Sequence, residues 1–255
     1  MEWGRYLEKS QMMQSHQREA LGRELKADGK PVPAPSGGTF KWDRKKTMPG
    51  SEEARELAEV ILSYQLPCGG WSKAVDYSKG PRAAGMAWTS QRDPWHYAAT
   101  LDNRATTGQL EFLAAQHGAA PDARLADAIC RGVQWLLDAR FPSGGWPQVF
   151  PLEGGYHDAI TLNDGAMLHA LELLTLVQAG RGGFEFLSPD LRAAADRAVK
   201  AGHRCLLRCQ LLRDGKPSVW CAQHDPVTLA PVGGRSYEPA SLSGAESCDI
   251  VRHLM

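Results

Sequence analysis

Apolar positions along the chain fall into helix-spaced runs, separated by polar loops that open on glycine and an aromatic residue. Residues 1–30 carry Tyr6, Leu7, Met12, Met13, Leu21 and Leu25 among many charges, a helical pattern. Residues 31–50 are rich in proline, glycine and lysine and read as an irregular arm. The short helix before that arm has no core of its own. Segment 1–50 is therefore expected to pack on a main body spanning 51–255.

From Ser51 the order becomes regular. Ser51 precedes Glu52, Glu53 and an apolar-periodic run over 54–64, which predicts a capped helix ending at Pro67. Gly69-Gly70-Trp71 follows, then a polar segment, then Thr100-Leu101-Asp102-Asn103 and a helix over 105–116. The second pass runs through a helix over 122–140, Gly144-Gly145-Trp146, Thr161-Leu162-Asn163-Asp164 and a helix over 166–178. The third gives a helix over 189–212, Asp214-Gly215-Lys216, Val219-Trp220, Ser241-Leu242-Ser243-Gly244 and a last helix over 245–255. Trp71, Trp146 and Trp220 stand 75 and 74 residues apart, a spacing that marks stacked helix–loop–helix units. Period-2 alternation is confined to short pieces near 148–150 and 218–220. The fold class expected is all-α: an α/α toroid of helical hairpins, incomplete or small, whose long loops gather at one end into a cleft.

Composition narrows the function classes. The chain has 255 residues, and Lys plus Arg equals Asp plus Glu at 29 each, so no net field draws it to nucleic acid or a membrane surface. No apolar run approaches the roughly 20 residues of a membrane span. The N-terminus lacks a basic region followed by an apolar core, so no signal peptide is visible. The six cysteines form neither a CxxC pair nor a metal-finger spacing, and Cys205 and Cys209, one helical turn apart, read as buried thiols.

Candidate chemistry centres on Asp102-Asn103 and Asn163-Asp164. An Asp or Asn before an apolar run normally caps a helix. Two such pairs, with Asp102 and Asp164 62 residues apart, can also aim hard oxygen ligands into one cleft, which suits Ca²⁺. The Gly-Gly-Trp markers read as helix stops and packing anchors, while the Trp146 indole could stack on a sugar ring. The polar, aromatic loop after Trp146 reads as a binding surface, and His157 in it is either a contact or a solvated histidine. Arg235, after Gly233-Gly234, could clamp a carboxylate or pair with Glu238. Lys73 could serve the same anionic ligand. No serine elbow, nucleophilic Cys/His pairing, P-loop or zinc set is present. These parts fit an acidic polysaccharide without fixing a reaction.

Five stretches, GGWSK (69–73), TLDNRATTGQLEFLA (100–114), FPSGGWPQVFPLEGGYHDAITLNDGAM (141–167), VWCAQHD (219–225) and RSYEPASLSGAES (235–247), occur in an order that resembles the pectate lyases of polysaccharide lyase family ten. The resemblance covers nearly the whole chain from residue 51, and the 1–30 helix is similar to the family's N-terminal segment. It implies an α/α toroid that cleaves polygalacturonate by Ca²⁺-assisted β-elimination. It further implies that Asp102 and Asp164, with Asn103 beside them, ligate or position calcium. Arg235 matches an arginine that binds substrate carboxylate, and Lys73, His157 and Asn163 fall at positions lining the cleft. Asp102 and Arg235 are the expected catalytic residues. The family's base is thought to be an arginine, which demands an electropositive setting and an alkaline optimum. The family's domain continues past the point where this chain stops, so the toroid is expected to lack its last helices and that base arginine. The family further implies a secreted or periplasmic monomer that binds oligogalacturonate. Two other readings compete. Gln65 to Trp71 superficially resembles the Gln…Trp repeats of terpene cyclases, but no DxDD motif accompanies it. A chain that binds anionic glycan without turning it over is the second.

Overall fold

A computed structural model describes residues 2–25, 29–91 and 95–255. Seven α-helices are present among them: α1 (Glu2–Glu24), α2 (Glu52–Ser63), α3 (Thr107–Ala119), α4 (Ala123–Ala139), α5 (Ala166–Ala179), α6 (Pro189–Cys209) and α7 (Gly244–Leu254). Ser51 caps α2 by accepting from the Ala54 N–H at 3.2 Å. Ser188 does the same for α6 through Leu191 N–H at 3.3 Å, with Pro189 at the first position.

The sequences of these helices assign them to two layers. α4 and α6 each bury one stripe and expose the other, as helices on a surface do. α5, by contrast, is apolar almost all round and buries eight residues from Ala166 to Val177. A helix of that kind needs neighbours on more than one side. It has them: α5 packs on α6 and α3, and α3 packs on α2 and α4, while α2, α4 and α6 touch in succession. The result is an arc with α3 and α5 inside and α2, α4 and α6 outside, the arrangement of an α/α toroid.

The tryptophan spacing has a structural cause. The indole N–H groups of Trp71, Trp146 and Trp220 donate to the carbonyls of Ile61, Leu136 and Leu206 at 2.8, 2.8 and 2.7 Å. Each acceptor lies in the preceding outer helix. Each indole thus pins its loop back onto the helix it leaves. The glycines ahead of two of them allow the next outer helix to approach. A Cβ on Gly69 would lie 2.4 Å from the Arg131 carbonyl in α4, and one on Gly144 would lie 2.5 Å from the Ala201 carbonyl in α6. Both have φ above +100°, where only glycine is unstrained.

Helix α1 lies against this body. Tyr6 donates to the Ala139 carbonyl at 3.0 Å, Lys9 pairs with Asp138 at 2.8 Å, and the Leu152 N–H donates to Ser10 Oγ at 2.8 Å. It is shorter than the 1–30 pattern suggests. It ends at Glu24, and residues 1 and 26–28 of that expected helix lie outside the described residues. Helix α6 also ends early, at Cys209 rather than 212, because strand β4 (Leu212–Arg213) turns into β5 (Lys216–Pro217).

Six further two-residue strands tie the loops together. β1 (Ala99–Thr100) pairs antiparallel with β2 (Val149–Phe150), and β3 (Ile160–Thr161) with β7 (Gln223–His224). β6 (Trp220–Cys221) pairs with β8 (Leu242–Ser243). The first two of these pairs join the loop of one repeat to that of the next, and the third closes the last loop on itself.

Candidate functional site

The segments before the two carboxylate pairs are held in the same way. Thr100 N–H donates to the Trp71 carbonyl and Thr161 N–H to the Trp146 carbonyl, both at 3.0 Å. Leu101 N–H then donates to Gln148 at 2.9 Å and Leu162 N–H to Ala222 at 2.8 Å. Gln148 and Ala222 each stand two residues after the tryptophan of the following repeat. Every pair is therefore fixed by its own repeat and the next one.

A 3₁₀ turn follows in both places, Asp102–Arg104 and Asn163–Gly165. The second residue of each pair is left-handed, Asn103 at φ 54° and Asp164 at φ 53°. Asn and Asp tolerate that region better than most side chains. The left-handed step redirects the chain before α3 and α5 begin, and neither helix receives a side-chain cap. The capping alternative for these residues is therefore set aside. The two turns lie against each other.

A cleft of about 320 Å³ opens over them, lined by Asp102, Asn163, Asp164, Lys73 and Arg235, together with Gln148, Tyr156, Gln223 and Glu238. Asp102 is only 4% exposed and forms an ion pair with Lys73. The Lys73 ammonium also lies over the Trp95 ring at 4.4 Å. Asp164 accepts from the Asn163 amide at 2.9 Å. Burial raises its pKa above the ordinary carboxylate value, and the charges of Asp102 and Glu246 raise it further, against a smaller opposing effect of Lys73 and Arg235. The Asp164 side of the cleft thus carries negative potential that its cations do not cancel.

Arg235 is engaged with its neighbour. Its Nε donates to Glu238 Oε2 at 2.9 Å and its Nη2 to Oε1, and its guanidinium lies 4.9 Å from the Tyr237 ring. This hydrogen-bonded pairing raises the pKa of the arginine and holds Glu238 at about 2.

Three expected contacts fall elsewhere. Trp146 is 0% exposed, and its indole is consumed by packing and the bond to Leu136. It is an anchor and offers no stacking face. His157 does not line the cleft; it packs on Tyr156 at 3.8 Å, meets Trp95 edge-on at 4.9 Å and pairs with Glu153 at 2.9 Å. Its role is to support the aromatic wall. Asn103 lines an adjoining pocket instead of the space between Asp102 and Asp164. The carboxamide beside Asp164 is that of Asn163, which turns its N–H to the carboxylate.

Reading the residues did not single out Tyr156, Gln148, Gln223 or Trp95. The first three lie within the stretches that carry the family resemblance, so position was legible while role was not. Trp95 had no signal beyond being an aromatic residue in a polar loop.

Among the described residues no three His, Cys, Asp or Glu side chains converge as a metal-holding group. The available donors are Asp102, Asp164 and the Asn163 carboxamide, all hard oxygens in a region of excess negative charge. That donor set fits Ca²⁺ and not a soft metal, provided that further oxygens complete the shell. No helix of the described residues is long and apolar enough to cross a membrane.

A family profile described as pectic acid lyase matches residues 65–255. Two solved structures are similar to the chain. One is a family 10 polysaccharide lyase from Cellvibrio cellulosa, 33% identical over 79% of this chain and 60% of that one, with a TM-score of 0.70. The other is a mutant of that lyase in complex with trigalacturonic acid, with the same identity and coverage and a TM-score of 0.71. The chain thus spans 60% of the length of these lyases. No curated protein matches it.

Proposed function

The chain belongs to the pectic acid lyase family, and from that premise we propose that it cleaves polygalacturonate by calcium-assisted β-elimination. The observation that carries the reading is the meeting of Asp102 and Asp164, from successive repeats, in one cleft with Lys73 and Arg235. A polyanionic chain needs cationic side chains to hold its carboxylates. A metal-assisted step needs carboxylates that are not fully neutralised. This cleft offers both.

In the reaction a base takes the proton from C5 of a galacturonate, and its electron pair becomes the C4=C5 double bond. The C4–O4 bond breaks, and the leaving oxygen takes up a proton. Negative charge builds beside the substrate carboxylate as C5 loses its proton. Fixed positive groups there lower the barrier, since they need no reorganisation. Lys73 is held on the Asp102 side by its ion pair and by the Trp95 face. The Arg235 fork, which Glu238 occupies, would grip a substrate carboxylate bidentately by exchanging one carboxylate for the other. We assign it that role and not the base role, because Glu238 holds it protonated. Asp102, Asp164 and Asn163 would hold Ca²⁺, which would supply Lewis-acid stabilisation of the developing charge. Because the polymer belongs to plant cell walls, we place the activity outside the cell or in a periplasm.

The test follows ultraviolet absorbance of the conjugated unsaturated uronide released from polygalacturonate. A calcium-dependent rise that chelator and Asp164→Ala both abolish supports the lyase. No rise from a folded chain that still binds the polymer supports binding without turnover. Neither rise nor binding overturns both.

A further inference from the structure

Asp102 and Asn103 are adjacent in the chain yet line different spaces. Asn103 lines a second pocket of about 300 Å³, and Lys73 lines both this pocket and the cleft. The irregular arm closes over it. Gly37 N–H donates to the Ala74 carbonyl at 3.1 Å, and Ser36 bridges to Val75. Contact there is so close that a Cβ on Gly37 would lie 2.7 Å from Asp76 N and the Val75 carbonyl. Phe40 brings a ring to the pocket, set edge-on to Tyr77 at 5.5 Å.

Among the described residues, two of the lining side chains carry an oxygen with no partner, Ser72 Oγ and Gln109 Oε1, and each residue is only 2% exposed. The Gln109 amide is fixed in orientation, since its Nε2 donates to the Tyr77 hydroxyl at 3.0 Å. Its carbonyl oxygen is thereby an acceptor without a donor. Buried polar atoms are normally satisfied, and each orphan asks for an explanation. A ligand bearing hydroxyls would supply one.

We propose that this pocket is an additional saccharide subsite, which takes one galacturonate unit of the same chain that occupies the cleft. The proposal rests on the reading of the cleft given above. Sugar hydroxyls match the orphan oxygens and the Asn103 amide. The apolar face of a sugar ring matches Phe40, and the unit's carboxylate matches Lys73. The ammonium then stands at the junction of two subsites, between Asp102 on one side and a substrate carboxylate on the other. The arm, which supplies no helix to the layers and packs on α3 through Phe40 and Trp42, becomes a wall of the binding site.

Calorimetric titration with di-, tri-, tetra- and pentagalacturonate in calcium-containing buffer tests this in the full chain. Gly38 lines the pocket, and a Cβ there meets nothing within 4 Å, so Gly38→Phe places a ring in or at the pocket without straining the backbone. Asn103→Gly removes one polar contact and, because glycine is unstrained at positive φ, keeps the turn beside Asp102 in place. The wild type is expected to gain roughly tenfold in affinity at the length that reaches the pocket. Both variants are expected to lose that increment while binding the shorter oligomers as before. An increment that survives in both, or none in a wild type that binds oligomers, overturns the subsite; the orphan oxygens then hold water only. A wild type that binds no oligomer of any length overturns the reading of the cleft itself.

Discussion

Asp102 is buried and paired with a single lysine, and the energetics of that pair govern what Lys73 does. Removing one partner of a buried ion pair leaves a charge without compensation, at a cost of about 3 kcal/mol. Lys73→Met is therefore expected to lower the free energy of unfolding by about that amount, measured by urea denaturation. Calcium should restore part of the loss, because a cation at Asp102 replaces the missing ammonium. A variant as stable as wild type would show that the ion pair adds nothing to folding, and one that calcium leaves unmoved would remove Asp102 from the cation site. At this scale the sequence was legible unevenly. Asp102, Asp164, Lys73, Asn163 and Arg235 were all singled out, and all line one cleft. Trp146, His157 and Asn103 were misplaced for a shared reason: a motif locates a residue in a loop but does not say which way it faces. The left-handed turn at Asn103 and the indole bond of Trp146 are facts of three dimensions.

The tryptophan anchors make the helical repeats readable, because a packing rule imposes a fixed spacing on the chain. Their energetic weight can be measured. Trp146→Ala is expected to destabilise the fold by about 3–5 kcal/mol, since it deletes a large buried ring and opens a cavity. Trp146→Phe should cost less, about 1–3 kcal/mol, mainly for the Leu136 carbonyl left without its donor. Equal losses in the two variants would assign the whole effect to the hydrogen bond. Gly144→Ala should also be destabilising, because φ is positive and the Ala201 backbone leaves no room. Helix positions were largely legible from periodicity and caps. The paired two-residue strands were mostly not, because two residues establish no alternation. The early end of α6 was hidden by Leu211 and Leu212, which continue a helical pattern that the Asp214–Gly215 turn cuts short.

For the molecule as a whole, half-buried and buried histidines set the response to acid. Burial lowers the pKa of His169 to about 4 from an ordinary 6.5, with Arg104 adding to the effect. His203, His224 and His253 are lowered by burial as well. A group with a depressed folded-state pKa binds its proton more readily when unfolded, so stability falls as the pH falls. The melting temperature is therefore expected to drop between about pH 6.5 and pH 4, over and above any carboxylate effect. His169→Gln should shallow that slope. An unchanged slope would mean that His169 stays accessible to protons in the folded state. The two-layer arc was legible from the order of repeats, and the structure adds which helices are inner. α5 shows this most plainly, since its sequence is apolar on every side.

The hydrogen bonds that anchor Thr100 and Thr161 to Trp71 and Trp146 are alike, yet the loops they close are not: 29 residues separate the first pair and 15 the second. Loop length is thus uncoupled from the placement of the carboxylates. Insertions between these stitches can add or remove wall on the binding groove while the acidic pair stays at its station. New polymer preferences are then open to the scaffold through its loops alone, with the chemistry inherited intact.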